Sequence, residues 1–317
     1  MIEIDDVERA MERVEDVIEQ TPLRHSRTVS KATGADVHLK YENLQRTGSF
    51  KIRGAYNKMS SLSDDERESG VIAASAGNHA QGVALAAKEV GVETKIVMPK
   101  DAAISKVEAT SEYGGDHVEI LLHGIDYGEA YEKAREIQEN EGRVFVHPFD
   151  DPHVQAGQGT VGLEILEELA DVDTVVVAVG GGGLATGVAT AVKARSPDTR
   201  VVAAQAEGAS SLKQSLERGE VYERDSVSTI SDGIATRRIA ESTFEVIKEH
   251  VDEAVVVDDD ETANAMLRLL ERDKTVVEGA GAVPVAAAIE RDLDLEGETV
   301  VPVLCGGNID SNVLSQV

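Results

Sequence analysis

The sequence predicts an α/β fold in which parallel sheets are covered by helices. Short apolar runs, which are typical of buried strands, alternate with segments whose apolar residues recur at helical spacing. Clusters of glycine stand where several of these strands give way to helices. The chain has 317 residues, of which 41% are hydrophobic, so it can bury a large core. Strands and helices that alternate in this way form parallel sheets with helices on their faces.

The N-terminal part begins with a predicted helix. Its apolar residues, which share helical spacing, are Ile4, Val7, Met11, Val14 and Ile18. Thr21-Pro22 ends this helix, because a residue before proline disfavours the helical conformation. A strand is predicted at residues 37–41 and a second helix at residues 50–59.

The remaining strands fall into two series. The first series is predicted at residues 71–74, 95–98, 117–122 and 144–146, with helices at 78–90, 104–113 and 127–140. The second series is predicted at residues 174–179, 201–205, 254–257 and 299–304, with helices between the strands. This division predicts a small domain of residues 64–151, inserted into a large domain of residues 1–63 and 152–317. Residues 63–68 are interpreted as an acidic linker.

The charge of the protein restricts its partners. Lysine and arginine number 31, aspartate and glutamate number 59, and the formal net charge is -28. The acidic residues are spread over nearly every predicted helix, which is typical of a solvated surface. Such a surface repels nucleic acid and anionic membranes, so neither is expected as a partner. Because molar salt would screen the self-repulsion, we expect a halophilic origin.

The sequence also indicates a compartment. The single cysteine, Cys305, excludes an internal disulfide and fits a reducing environment. The first residues lack the basic and apolar segments of a signal peptide. The longest uncharged run, residues 174–192, contains four consecutive glycines, which argues against a membrane-spanning helix. We therefore expect a cytoplasmic protein without a membrane partner.

Lys51 is the candidate nucleophile. It lies within residues 47–55, where small, helix-starting residues precede it and good helix formers follow. A loop should therefore place Lys51 on the first turn of a helix, whose positive end makes an ammonium easier to deprotonate. An ordinary surface lysine is the alternative, and only the rest of the chain decides between the two.

A glycine loop is the candidate phosphate site. It joins a predicted strand to a helix and consists of Gly180, Gly181, Gly182 and Gly183, followed by Leu184. Without Cβ atoms, its backbone can direct several N–H groups toward one phosphate at the helix N-terminus. The spacing of Gly180, Gly182 and Ala185 also fits a dinucleotide-binding loop. That alternative requires an acid at the end of the next strand. Gln205 stands at this end and Glu207 lies two residues beyond it, which weakens the alternative but leaves it open.

A second loop is the candidate carboxylate site. It follows the strand at residues 71–74 and consists of Ser75, Ala76, Gly77, Asn78 and His79. A hydroxyl, an amide and free N–H groups at a helix N-terminus favour an anion, although Ser75 or Asn78 could also serve only as a helix cap. Later glycine motifs contain Gly233, Glu278, Cys305 and Gly306. No spacing of histidines and carboxylates indicates a metal site.

Together these motifs resemble those of the fold type II pyridoxal phosphate enzymes, in particular the threonine and serine dehydratases and the related serine racemases. The resemblance extends from Thr21 to Asn308. The motifs that carry it appear in the order of the family: Ser-Phe-Lys-x-Arg-Gly-Ala, Ser-Ala-Gly-Asn-His-Ala-Gln-Gly, Gly-Gly-Gly-Gly-Leu, Asp-Gly, Glu-Gly-Ala-Gly-Ala and Gly-Gly-Asn.

The resemblance implies a role for each motif. Lys51 would hold the aldehyde of pyridoxal 5′-phosphate as a Schiff base and later act as the base, with Phe50 against the ring. Asn78 would bond the 3′-hydroxyl, and residues 180–184 would bind the phosphate. Residues 75–79 would hold the substrate carboxylate through a hydroxyl and backbone N–H groups. The other cofactor contacts would be Gly233, Glu278, Gly306 and Cys305, whose thiol would face the pyridine nitrogen.

By the same resemblance, the chain would convert L-threonine to 2-oxobutanoate and ammonia, and L-serine to pyruvate, by α,β-elimination, as a homodimer or homotetramer. Racemases carry serine where this chain has Ala76. Without that hydroxyl on the opposite face of the substrate, elimination is favoured over racemisation. Relatives that bind a divalent metal carry carboxylates where Gln205, Ala209 and Ser211 stand, so no metal is expected. A serine racemase, a 3-hydroxyaspartate dehydratase, an NAD-dependent dehydrogenase and a non-catalytic ligand-binding protein remain alternatives.

Overall fold

The structure is a computed structural model that describes residues 1–310 and residue 314. The strands in this part of the chain are β1 (Leu23–His25), β2 (Asp36–Lys40), β3 (Val71–Ala74), β4 (Thr94–Met98), β5 (Val118–Leu122), β6 (Val144–Phe145), β7 (Thr174–Ala178), β8 (Arg200–Ala206), β9 (Glu253–Val257) and β10 (Thr299–Pro302). The α-helices there are α1 (Ile4–Val14), α2 (Arg27–Thr33), α3 (Lys51–Ser60), α4 (Asp64–Ser69), α5 (Asn78–Val90), α6 (Ile104–Gly114), α7 (Tyr127–Glu141), α8 (Pro152–Glu168), α9 (Gly183–Arg195), α10 (Ser211–Arg218), α11 (Glu241–His250), α12 (Asp259–Arg268) and α13 (Gly279–Glu290). Among these helices there is none with the length and hydropathy needed to cross a bilayer.

Two sheets form the centre of the fold. The larger sheet has the strand order β1-β2-β10-β7-β8-β9, and the smaller sheet has the order β5-β4-β3-β6. All neighbouring strands are parallel except β1, which pairs with β2 in the antiparallel direction. The predicted α/β class is confirmed, with one edge strand that the sequence pattern misses. This strand has only three residues, none of them fully buried, so it leaves no apolar run to detect.

The segment at residues 63–68, predicted as a linker, is mostly helix α4. The Ser63 hydroxyl accepts a hydrogen bond from the N–H of Glu66, and the Glu66 carboxylate accepts one from the N–H of Ser63 at 2.8 Å. This capping box satisfies two N–H groups that otherwise have no partner in the helix. The linker prediction is wrong because the acidic residues of this segment stabilise the first turn of a helix.

The larger sheet is buried on both faces, which explains its continuous apolar runs. Val175, Val176 and Val177 of β7 have no exposed surface. Burying each such side chain stabilises the fold by about 1.5–3 kcal/mol relative to leaving it exposed. Helix α13 is buried along most of its length and packs against β7, β8 and β9. This packing fixes the positions of the strand ends that carry the site.

The smaller sheet shares its core with helix α3, which starts at Lys51. Ile52, Ala55 and Met59 of α3 belong to the same buried cluster as Val71 of β3. All strands of the smaller sheet lie within the predicted small domain, whereas α3 precedes it. The domain boundaries therefore stay a prediction, and residues 311–313 and 315–317 of the predicted large domain lie outside the described residues.

Candidate active site

A cavity of about 360 Å³ lies where the loops after β3, β7 and β10 meet. Parallel strands of a sheet end at one edge, and ligands bind at that edge. Of the residues predicted for the site, those that line the cavity are Phe50, Lys51, Ser75, Ala76, Gly77, Asn78, His79, Gly180, Gly181, Gly182, Gly183, Leu184, Gly233, Glu278 and Cys305. Gly306 adjoins the cavity, because its carbonyl oxygen accepts a hydrogen bond from the Glu278 N–H at 3.1 Å. The fold thus brings together residues that are far apart in the chain.

Lys51 is the first residue of helix α3. Its Nζ donates a hydrogen bond to the carbonyl oxygen of Pro148 at 2.9 Å and lies 5.1 Å from the centre of the Phe50 ring. Burial lowers the pKa of Lys51 to about 8, although the nearby Cys305 and Glu278 act in the opposite direction. More of this amine is therefore unprotonated at neutral pH than in an ordinary lysine, as a nucleophile requires.

The backbone before Lys51 is held by the chain that follows β10. Ser49 forms an isolated antiparallel bridge with Gly306, and the N–H of Phe50 donates to the carbonyl oxygen of Cys305 at 3.2 Å. Burial raises the pKa of the Cys305 thiol, so the thiol is neutral at physiological pH. Its contact with a pyridine nitrogen stays a prediction.

The glycine loop joins β7 to helix α9 and has no room for side chains. Gly182 caps the helix with a φ of 97°, in the left-handed region that glycine adopts most easily. A Cβ on Gly180 would lie 2.9 Å from the Cα of Ile234, and a Cβ on Gly181 would overlap the ring of Phe149. The first N–H groups of a helix have no acceptor within it. Such a loop fits a phosphate group.

The second loop joins β3 to helix α5. The Ser75 hydroxyl accepts a hydrogen bond from the N–H of Gly77 at 3.2 Å. Gly77 is the N-cap residue and has no side chain with which to cap the helix. The N–H groups of the first turn are therefore left for an anion in the cavity, as a carboxylate site requires.

His79 contributes no charge to this loop. Its Nε2 lies 2.8 Å from the carbonyl oxygen of Val146, and because a carbonyl oxygen only accepts, Nε2 carries the proton. Burial lowers the pKa of His79 to about 3, and the charge of Lys51 adds to this effect. The neutral side chain ties α5 to the chain after β6, and the predicted contact of the His79 backbone with a carboxylate stays a prediction.

A series of hydrogen bonds joins the second loop to Glu278. The Nδ2 of Asn78 donates to the Oε1 of Glu278 at 2.7 Å, and the Nδ2 of Asn308 donates to the Oδ1 of Asn78 at 2.8 Å. Burial raises the pKa of Glu278, and the hydrogen bond from Asn78 opposes this rise. Both ends of the Asn78 amide have partners within the protein, so its bond to a 3′-hydroxyl stays a prediction.

Gln205 supports the glycine loop from outside the cavity. Its Nε2 donates to the carbonyl oxygens of Val179 and Ala209, both at 3.2 Å, and its Oε1 accepts from the N–H of Lys213 at 3.0 Å. Val179 immediately precedes the glycine loop. A dinucleotide-binding loop requires an acid at the end of the next strand, where this buried amide stands. The arrangement therefore does not favour a dehydrogenase.

The cavity also contains residues that the sequence pattern does not single out. Lys106 and Tyr127 stand near the starts of α6 and α7, and Phe149 follows β6. Each follows a strand of the smaller sheet, so the rule that ligands bind at the carboxyl ends of parallel strands indicates these positions. Asp232 and Asn308 also line the cavity, and they belong to motifs that the sequence does single out.

Comparisons with known proteins identify relatives of this chain. The sequence profile of a family described as "Pyridoxal-phosphate dependent enzyme" matches residues 14–306. An L-threonine ammonia-lyase of Thermotoga maritima is 50% identical over 317 residues, which cover 100% of this chain and 78% of that protein. The catabolic L-threonine dehydratase of Escherichia coli is 45% identical over 318 residues, which cover 100% of this chain and 96% of that protein. The structure of maize serine racemase superposes with a TM-score of 0.94 at 36% identity, over 99% of this chain and 96% of that one.

The family match and the cavity point to the same cofactor. The glycine loop fits a phosphate group, and Lys51 supplies an amine with a lowered pKa that can react with an aldehyde. The matches extend over nearly the whole chain and include all the loops of the cavity. The chain therefore belongs to the family of pyridoxal-phosphate dependent enzymes.

Proposed function

We propose that this enzyme deaminates L-threonine to 2-oxobutanoate and ammonia, and L-serine to pyruvate and ammonia, by α,β-elimination. The observation that carries the proposal is the position of Lys51. Its half-buried amine, with a pKa of about 8, lines the cavity between a phosphate loop and a carboxylate loop. Proteins named L-threonine ammonia-lyase and L-threonine dehydratase support the proposal, because they are 50% and 45% identical over the whole chain.

The residues of the cavity fit pyridoxal 5′-phosphate. Residues 180–184 would hold its phosphate, and Lys51 would bind its aldehyde covalently. When bound, the cofactor acts as an electron sink that stabilises negative charge at the α-carbon of the substrate. The neutral thiol of Cys305 would not hold a proton on the pyridine nitrogen, which favours prompt loss of the β-hydroxyl. The other residues near the ring would be Phe50, Asn78, Gly233, Glu278 and Gly306.

The groups of the chain itself would position the substrate and move its protons. The first N–H groups of α5, with the Ser75 hydroxyl, would hold the α-carboxylate. Lys51 would accept the α-proton, because an amine with a pKa of about 8 is partly unprotonated near neutral pH. The β-hydroxyl would take up a proton and leave as water, and hydrolysis of the resulting enamine by one water would give the 2-oxo acid and ammonia.

Lys51→Ala tests the proposal, with Lys100→Ala as the matched control. Lys100 is exposed and does not line the cavity. The wild type and the control should show the near-visible absorbance of lysine-bound cofactor and form 2-oxobutanoate from L-threonine. Lys51→Ala should lose the absorbance and at least about 10²–10⁴-fold in rate. Activity retained by Lys51→Ala, or no 2-oxo acid from either substrate with the wild type, would refute the proposal.

Serine racemisation is the second candidate, because maize serine racemase superposes on nearly the whole chain. Ala76 lines the cavity and carries no hydroxyl that could act as a base on the opposite side of the substrate. We expect L-serine to yield mainly pyruvate, and Ala76→Ser to increase the share of D-serine. Chiral chromatography measures both products, and D-serine as the main product of the wild type would favour the racemase. The same assay with 3-hydroxyaspartate tests the dehydratase alternative.

We also propose a halophilic cytoplasm as the environment of the enzyme and a homodimer or homotetramer as its assembly. The formal net charge of -28 supports the first proposal, because salt screens the repulsion within the folded chain. The thermal unfolding midpoint should rise between about 0.1 M and about 1 M potassium chloride. An unchanged midpoint would contradict the halophilic origin.

A mass of 33.8 kDa in light scattering would contradict an oligomer.

A further inference from the structure

Lys106 is the second cationic side chain in the cavity. Among the described residues that line it, Lys51 and Lys106 alone are lysine or arginine, whereas Asp232, Glu278 and Asp310 are acidic. Lys106 lies in the first turn of helix α6, after β4, and it is half-buried. The sequence pattern assigns it no role.

The ammonium of Lys106 lies beside the carboxylate loop. Its Nζ is 3.9 Å from the position that a Cβ on Gly77 would occupy, and Gly77 is the N-cap residue of helix α5. The charge of Lys106 therefore adds to the positive end of the helix at one point of the cavity. The same charge lowers the pKa of Glu278 against the effect of burial, so its field reaches the interior of the cavity.

Lys106 is available for a ligand. Within residues 1–310 and 314, its ammonium forms no hydrogen bond or ion pair, whereas Lys58, Lys95 and Lys193 each pair with a carboxylate. Among the described residues, Lys88 and Lys100 also form no ion pair but are exposed at the surface, whereas Lys106 lines the cavity, where an anion from outside the chain can reach it. The only anion that the proposed substrates all share is the α-carboxylate.

We propose that Lys106 is a substrate-binding residue that pairs with the α-carboxylate of the amino acid at the N-terminus of helix α5. The inference rests on the proposed deaminase function and narrows the substrate class to amino acids with a free, anionic α-carboxylate. The loop supplies N–H dipoles, and Lys106 supplies a full charge. Loss of one charged partner should weaken binding about ten- to hundredfold.

Two unreactive probes test this pairing. L-alanine has no β-leaving group and cannot undergo elimination, and L-alaninamide has the same side chain without the carboxylate charge. Calorimetric titration of the holoenzyme, at one fixed salt concentration, measures the affinity for each. Lys106→Met should weaken alanine binding about ten- to hundredfold and leave alaninamide binding nearly unchanged. The effect of removing the lysine charge and the effect of removing the carboxylate charge are then not additive, as expected for two groups that interact directly. Lys106→Arg should retain most of the affinity for alanine.

Lys100→Met is the matched control, because Lys100 also follows β4 but is exposed and lies outside the cavity lining. It should bind both probes like the wild type. With L-threonine, Lys106→Met should raise KM and change kcat little, because the carboxylate is held equally in the ground state and the transition state.

Two results would overturn the proposal. Equal losses of affinity for alanine and alaninamide would show that Lys106 only maintains the structure, and unchanged affinity for alanine would show that it does not contact the carboxylate. Failure of the deaminase function gives a different result. The wild type would then bind alanine, and Lys106→Met would weaken that binding, but neither L-threonine nor L-serine would yield a 2-oxo acid.

Discussion

Arg53 lies two residues after Lys51, and its guanidinium is completely buried. It donates to both carboxylate oxygens of Glu42, at 2.8 Å each, and to both of Glu164, at 2.6 and 2.9 Å. The Nζ of Lys40 also contacts Glu164, at 2.7 Å. The variant Arg53→Met would keep much of the side-chain volume but leave two buried carboxylates without their main partner. We expect it to fold with a large loss of stability.

The size of the loss follows from the burial of these charges. Removing one partner of a buried ion pair costs about 3–5 kcal/mol, because the charge that remains is neither solvated nor paired. The entropy of unfolding is about 2.1 cal/mol/K per residue, or about 0.7 kcal/mol/K for the 317 residues. The thermal unfolding midpoint of Arg53→Met should therefore fall by about 4–7 °C.

The dependence of stability on pH should change sign. Burial alone would raise the pKa of Glu42, but the charge of Arg53 and its hydrogen bonds hold this pKa below its ordinary value. In the wild type, this stabilisation is present above the unfolded pKa and is lost as the pH falls through the folded pKa. In Arg53→Met, burial acts without the counter-charge and raises the pKa of Glu42. The variant should therefore gain stability as the pH falls from about 7 to about 5.

Urea denaturation at several pH values measures both effects. Arg237→Met is the control, because Arg237 pairs with Glu223 at the surface and should contribute less than about 1 kcal/mol. Adding Glu42→Gln and Glu164→Gln to Arg53→Met should recover part of the loss, because no unpaired carboxylate remains. A cost below about 1 kcal/mol, with the pH dependence of the wild type, would refute the reasoning.

Three further predictions concern the cavity. Gly181→Ala should weaken cofactor binding about tenfold or more, as measured by absorbance titration, because the new Cβ would overlap the Phe149 ring. Adding Phe149→Ala to this variant should restore part of the affinity. Gln205→Leu should lower the free energy of unfolding by about 1–3 kcal/mol, because two buried carbonyl oxygens lose their donor. The control Gln214→Leu, at a half-buried position, should have a smaller effect. The rate at which an amine reagent labels Lys51 in the apoprotein, measured by mass spectrometry, should rise with pH around a midpoint of about 8. A midpoint of about 10, as for an ordinary lysine, would contradict the lowered pKa.

The loops of the site are predictable from the sequence because their signals are local. Gly180 and Ser75 each follow an apolar strand and precede a helix, and both signals lie within a few neighbouring residues. The partners of Arg53 are not predictable in this way, because Glu164 lies 111 positions away, among acidic residues that otherwise indicate a solvated helix. The approach of Phe149 to the glycine loop likewise depends on how the two sheets pack. A pattern indicates which strand precedes a residue but not which distant element contacts it.

The ion pairs around Arg53 also bear on the chemistry of Lys51. Lys40 and Arg53 are positive, Glu42 and Glu164 are negative, and Lys40 also contacts Glu168 at 3.0 Å. The charges that shift the pKa of Lys51 are those of Cys305 and Glu278, not those of this cluster. The ion pairs of Arg53 hold helix α3 in place, and burial is the main cause of the Lys51 pKa of about 8. Arg53→Met should therefore lower the stability and leave the labelling midpoint of Lys51 near 8, and a midpoint well away from 8 would show that the charges of the cluster also act on this amine.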